Sequence, residues 1–412
     1  MAVPFSMSRA RSIAWRFGVS PRPMEARMAR FDALTAEFGV RPTWAVTASV
    51  LHRNQPAVRR FCERGVEFAV HGLAHDDLAL RSPAEQRASI ARAVGIFHGA
   101  GVPFSGFRAP FLRASAATDD AVAGLGFVYH STTPVAFDAA AFPRAIGAMY
   151  PAYGDASAAP VRPAERGGVV HLPVALPDDA LLVERLRFSP AEQAITWRAV
   201  LETTWRRGEL FTLRLHPERI YECEEALGAL LADARGRRPP VWIATLDRIA
   251  RWWRRRAQSK LAVHELEPGR VRVVLDGDPM ATLLVRNLAE GETEPWFGAD
   301  RVARSRDFEA HAERKPVVGV STRSPAAALT FLAEEGFPAE VSDDAPRYGA
   351  WIDVPGRTVD EAAVLAAVEA ADGPMVRLGR WPAGARSALA VTGDIGCMTL
   401  QDFALRAWEG RR

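Results

Sequence analysis

Two histidines four residues apart, His71 and His75, stand in the stretch VEFAVHGLAHDDL at residues 66–78. They follow an apolar run, Val66, Phe68 and Val70, that is bounded by Gly65 and Gly72. That pattern predicts a short buried strand ending in a tight turn. If a helix begins after Gly72, the two imidazoles share one face of its first turn and can bind one metal ion. The H-E-x-x-H zincin pattern is excluded, because Gly72 follows His71. Taken alone, the pair reads more readily as two surface histidines on a loop. Three more polar stretches follow apolar runs: Phe107-Arg108-Ala109-Pro110-Phe111, Leu213-Arg214-Leu215-His216-Pro217 and Thr392-Gly393-Asp394-Ile395-Gly396. An arginine before Ala-Pro is commonly a loop anchor, and a histidine before proline is commonly structural. Their shared position after apolar runs matters more, since the carboxyl ends of strands are where α/β folds place chemistry.

The elements that must hold these residues alternate between strand and helix. A helical pattern covers about Met24–Phe38, Thr43–Val50 reads as a strand, and Asn54–Glu63 reads as a helix. Ser82-Pro83-Ala84-Glu85 is a helix start with an N-cap serine, proline at N1 and glutamate at N3. Helices near 118 and over Pro190–Arg206, and strands at 169–175, 210–215 and 241–244, complete a domain of residues 1–256 suited to parallel strands. Residues 139–168 are rich in Ala, Pro and Gly and read as a long loop. Residues 257–312 alternate apolar and polar and suggest a small β-rich unit. Residues 313–384 suggest a small α/β unit, and 385–412 a final strand and helix returning to the first domain.

Composition narrows the function classes. At 412 residues the chain exceeds one ordinary core. Its net charge of +3 gives no nucleic-acid footprint, and arginine runs such as Arg254–Arg256 read as solvated faces. No run of 18 apolar residues is present, so no membrane span is expected. Three scattered cysteines, with no C-x-x-C and no signal-peptide pattern, lead us to expect a cytoplasmic protein. The strand KPVVGVS at 315–321 lacks the glycine spacing of a nucleotide loop, and Trp242, Trp252 and Trp253 read as packing residues.

In order and setting, the motifs resemble the polysaccharide deacetylase family, also known as the NodB-homology domain or carbohydrate esterase family 4. His71-Gly72-Leu73-Ala74-His75 is similar to its H-[ST]-x-x-H motif, with glycine in place of Ser/Thr. Arg108-Ala109-Pro110-Phe111 is similar to R-x-P-[YF], and Leu213–Pro217 to L-x-L-H-P. The resemblance spans roughly residues 25–256 and implies an irregular (β/α)7 barrel. It further implies metal-assisted removal of an acetyl group from an N-acetylated carbohydrate or similar amide. The divalent metal, usually zinc, would be held by His71, His75 and Asp394. Asp394 falls on the position of the catalytic base, Arg108 would orient it, and His216 would protonate the leaving amine. Pro110 and Phe111 would meet the substrate, with a backbone N–H near Phe111 holding the oxyanion.

Two departures stand out. The family's first motif, T-F-D-D-G, is absent from residues 1–20, where there is no acidic residue. Thr392–Gly396 matches it as T-x-D-x-G, which suggests a circular permutation with the first strand displaced to the C-terminus. The family's second, metal-binding aspartate is replaced by Ile395, so Asp76, Asp77 or His130 would have to stand in for it. The alternatives are a catalytically weakened or inactive carbohydrate-binding scaffold, or a structural partner docking through the 315–384 unit.

Overall fold

The computed structural model describes residues 13–158, 160–288 and 292–409. A ladder of parallel strands forms its frame. Thr43–Val46 pairs with Glu67–Val70, which pairs with Phe104–Phe107, which pairs with Tyr129–His130. Tyr129–His130 and Pro134–Ala136 run beside Val169–His171 and Val174–Leu176. Ala175 then pairs with Leu213 of Leu210–Leu215. The gap between Leu210–Leu215 and Thr43–Val46 is filled by Ser387–Ile395, parallel to both. These strands make one curled, open, mostly parallel sheet, a half-barrel of the expected irregular (β/α)7 type, with three further small sheets beside it.

Ser387–Ile395 (SALAVTGDI) is buried at every position, the mark of a strand covered on both faces. Its alternation sorts side chains into two layers. Ala388 and Ala390 point into the barrel with Ala45, Ala69, Tyr129 and Val170. Leu389, Val391 and Ile395 point outward onto helix residues such as Phe31, Phe97 and Trp197. Small inward residues leave room for the one large ring. A Cβ on Gly106 would fall 1.9 Å from the Tyr129 ring, so only glycine fits there.

Helix starts follow the sequence. Ser82 and Glu85 form a reciprocal capping box at the head of Pro83–Ala100, and Ser189 and Glu192 do the same for Pro190–Arg207. Two local expectations fail. The strand read over Thr43–Val50 stops at Val46, and Ala48–Arg53 is a helix. No helix begins after Gly72. The Ala48 and Ser49 N–H groups donate to the Gly72 and Leu73 carbonyls at 3.0 and 2.9 Å, drawing off the acceptors that a helical turn would need. The stretch read as loop at 139–168 contains a short helix, Pro143–Met149, and two short strands.

Beyond the barrel, Lys260–Glu267, Arg270–Asp276 and Asp307–His311 form an antiparallel sheet. Lys315–Val320 lies between Ala339–Val341 and Tyr348–Ile352. Met375–Leu378 pairs instead with Leu283–Arg286, so the two small units share a sheet across residue 313. Trp252 is buried and donates to the Arg380 carbonyl at 3.0 Å, consistent with its reading as a packing residue. Among the described residues no helix is long and apolar enough to cross a membrane.

If the C-terminal strand belongs to the main cooperative unit, Leu389→Ala lowers barrel stability by about 2–5 kcal/mol. Urea unfolding followed by tryptophan fluorescence checks this, and an unmoved main transition would show the strand to be peripheral.

Candidate functional site

Parallel pairing brings four strand ends to one rim. Val46 is level with both Val70 and Ile395, Val70 with Phe107, and Leu215 with Gly393. His71, Arg108 and His216 each follow directly on one of these strands, and Asp394 is the last inward residue of its own.

Arg108 is the hub. It is 1% exposed, and its guanidinium donates to the Ser131 carbonyl at 2.9 Å, the Ser131 hydroxyl at 3.0 Å, Thr392 Oγ1 at 2.8 Å and Asp394 Oδ1 at 2.9 Å. The other Asp394 oxygen faces Arg214 Nη1 at 3.5 Å. Arg214 is in turn paired with Asp178, which also accepts from the Tyr150 hydroxyl. Burial pushes the Asp394 carboxyl up. The charges of Arg108, His71 and Arg214 more than reverse this, holding it well below the usual carboxylate range. Asp394 is therefore ionised at any working pH.

His71 donates from Nδ1 to the Arg108 carbonyl at 2.8 Å, a bond that fixes the tautomer with a lone pair on Nε2. That Nε2 is buried without a hydrogen-bond partner and lies 4.0 Å from Asp394 Oδ2. Burial first, only partly offset by Asp394, lowers the His71 pKa to about 4, so the ring is neutral. His75 packs edge-on against His71 and Phe111, with ring centroids 5.3 and 4.5 Å away. Its Nε2 faces Arg406 Nη2 at 3.4 Å. Phe111 is 42% exposed at the rim with a left-handed φ of 58°, while Pro110 is buried beneath it.

His216 is held from both sides by Asp179. Its Nδ1 lies 2.7 Å from one carboxylate oxygen, and its backbone N–H donates to the other at 2.7 Å. Burial lowers the His216 pKa, but the Asp179 charge and hydrogen bond outweigh this and leave it raised.

The predicted residues thus divide. His71, Arg108, Asp394 and His216 gather at the rim, with His75 and Phe111 beside them. Asp76 is paired with Arg81 at 2.6 Å and Asp77 with Arg113 at 2.7 Å, and His130 turns to Asp119. None of the three supplies the missing carboxylate. Ile395 is fully buried in the outer apolar layer.

These residues do not fit a resident divalent metal in the rim. Catalytic zinc needs about three convergent protein ligands. Here Asp394 is shared between two guanidinium groups, and the third guanidinium, Arg406, sits at His75 Nε2. A dication would join an already cation-rich cluster. The sequence reading passed over Asp178, Asp179, Tyr150, Ser131 and Arg406. Pro177-Asp178-Asp179 directly after the apolar strand Val174–Leu176 repeats the strand-end pattern of the other motifs, and could have pointed to the acidic pair.

Several solved structures align with part of the chain. A Mycobacterium smegmatis protein assigned as a polysaccharide deacetylase aligns at 23% identity over 60% of this chain and 80% of its own, with a TM-score of 0.46. A Pseudomonas aeruginosa protein with the same assignment aligns at 20% identity over 62% and 80%, also at 0.46. The allantoinase Puue aligns at 18% identity over 55% and 72%, at 0.44. No curated protein sequence matches the chain. Residues 8–130 match the family model described as Polysaccharide deacetylase, and the likeness is to that model over that span.

Proposed function

We propose that this chain hydrolyses the amide of an N-acetylated sugar or a related N-acyl compound. The observation that carries this reading is the opposition of two charge pairs at one barrel rim: Asp394 with Arg108, and His216 with Asp179. Asp394 accepts a proton from water as the water oxygen bonds to the amide carbonyl carbon. His216, kept protonated by Asp179, gives its proton to the nitrogen as the C–N bond breaks, releasing a carboxylate and an amine. Arg108 and Arg214 hold the base carboxylate in place. Their charges also weaken it as a proton acceptor, so the proton it takes from water is passed to solvent as the products leave, and His216 takes one back from solvent. Phe111 offers an apolar face for a sugar ring. Because the residues do not fit a metal, no step is assigned to zinc or another ion.

The same reading takes Ser387–Ile395 as the displaced first strand of a circularly permuted chain. Its support is the T-x-D-x-G pattern at Thr392–Gly396 and the strand's seat between the Thr43–Val46 and Leu210–Leu215 strands. A cytoplasmic setting is part of the proposal, in keeping with three unpaired cysteines, Cys62, Cys223 and Cys397.

A second reading, a non-catalytic carbohydrate-binding scaffold, draws on Ile395 in the apolar layer and on Arg406 facing His75. Acetate release from N-acetylglucosamine oligomers, measured beside calorimetric binding of the same oligomers, separates the two. In the hydrolase, Asp394→Asn lowers kcat about 10²–10⁴-fold with binding retained. Wild-type binding without acetate release would favour the scaffold instead. The pH profile gives an independent check. His216 acts in its protonated form, so the rate falls as pH rises through its raised pKa. Asp179→Asn removes the partner that raises it and should move the alkaline limb to lower pH; an unmoved limb would rule out His216 as the acid.

A further inference from the structure

On the outer side of the barrel, away from the rim carboxylate, a second set of ligand-type atoms converges. His130 and His171 are paired across neighbouring parallel strands, so their side chains leave the sheet on the same face. Tyr129, the residue before His130, points into the barrel, so His130 points out of it. Asp119 reaches them from the first turn of the helix Ala116–Gly124. One ligand atom from each of Asp119, His130 and His171 lies within 4.8 Å of the other two.

The ring of His130 is 3% exposed, and its two nitrogens have different surroundings. Nε2 lies 2.6 Å from Thr132 Oγ1, which already accepts the Ala109 N–H at 2.9 Å. Nδ1 lies 3.0 Å from Asp119 Oδ1, yet it is buried and makes no aligned hydrogen bond. A buried imidazole nitrogen thus stands beside a carboxylate oxygen with its own lone pair or proton unmatched by an aligned partner. The His171 ring lies 5.4 Å from that of His130.

We propose that Asp119, His130 and His171 form a transition-metal site, with a zinc-like dication held by two imidazoles, one carboxylate and a solvent ligand. The donor set suits such an ion. With Nδ1 on the ion, His130 would carry its proton on Nε2 and donate it to Thr132 Oγ1, which makes Thr132 the outer partner of this ligand. The site is structural. His130-Ser131-Thr132 also anchors the catalytic loop, since Ser131 accepts from Arg108 and Thr132 from the Ala109 N–H. An ion on His130 thus braces the segment that positions Arg108.

Chelator-stripped protein titrated with zinc, with elemental analysis and thermal melts alongside, tests this without reference to turnover. Wild type should bind one equivalent and melt higher with zinc present. Asp119→Asn and His171→Ala, at exposed and half-buried positions, should stay folded and lose both effects. Thr132→Val should weaken zinc affinity about 10–100-fold, and His71→Ala should bind as wild type does. Two results would overturn the proposal: no zinc uptake by wild type, or an equivalent lost in His71→Ala and kept in His171→Ala. The second would place the ion in the rim. Failure of the hydrolase reading would appear only in acetate release and leave these titrations unchanged.

Discussion

The parallel pairing of Ser387–Ile395 between Thr43–Val46 and Leu210–Leu215 is the constraint on which the rest of the molecule depends. Without it the two flanking strands would each present a bare row of backbone donors and acceptors inside the protein. With it the ladder runs unbroken across the curled sheet and an apolar layer forms on each side. The same pairing also sets the chemistry. Strand register alone brings Asp394 level with Ala45 and just past the end of Leu213–Leu215, within reach of guanidinium groups from two other strands.

The rim is an exercise in charge balance within a buried space. Ion pairs so fully removed from water persist only where nearly every donor and acceptor is satisfied. Arg108 meets that requirement with two backbone or hydroxyl contacts to Ser131, one to Thr392 and one to the carboxylate. Arg214 meets it through Asp178 and Tyr150. The carboxylate left between them stays ionised, whereas His216, its pKa raised by the Asp179 charge and hydrogen bond, is the group set to hold a proton and give it up. Arg406 tips the balance toward positive charge next to His75, and that surplus, with Ile395 where a second carboxylate would stand, sets this rim apart from a metal-binding one.

Much of the architecture was legible because it rests on local signals. The capping signal at Ser82 and apolar runs ending in glycine marked helices and strands well, and the Ser189–Glu192 box repeats the same pattern. The strand-end motifs also pointed to Arg108, His216 and Asp394 as neighbours, since strand ends in such folds share a rim. What could not be read were contacts decided between distant segments. The helix expected after Gly72 lost its acceptors to Ala48 and Ser49, a competition invisible within residues 71–78. Met375–Leu378 pairs with Leu283–Arg286, a partner that its apolar pattern does not distinguish from the neighbouring parallel strands. Arg406 lies on a helix whose approach to His75 depends on how Gly396 packs, where a Cβ would fall 2.8 Å from the His75 ring.

The carboxylate and the guanidinium that fixes it are 286 residues apart in sequence. During synthesis the chain therefore makes His71, Arg108 and His216 long before Asp394 exists. Through that interval the emerging barrel has a slot between two strand edges, each able to recruit a stray strand. Closing the slot demands a late, long-range event of the kind that slows folding. One insertion thus completes the scaffold and the rim cluster together, and a nascent chain cannot assemble that cluster before its architecture is whole.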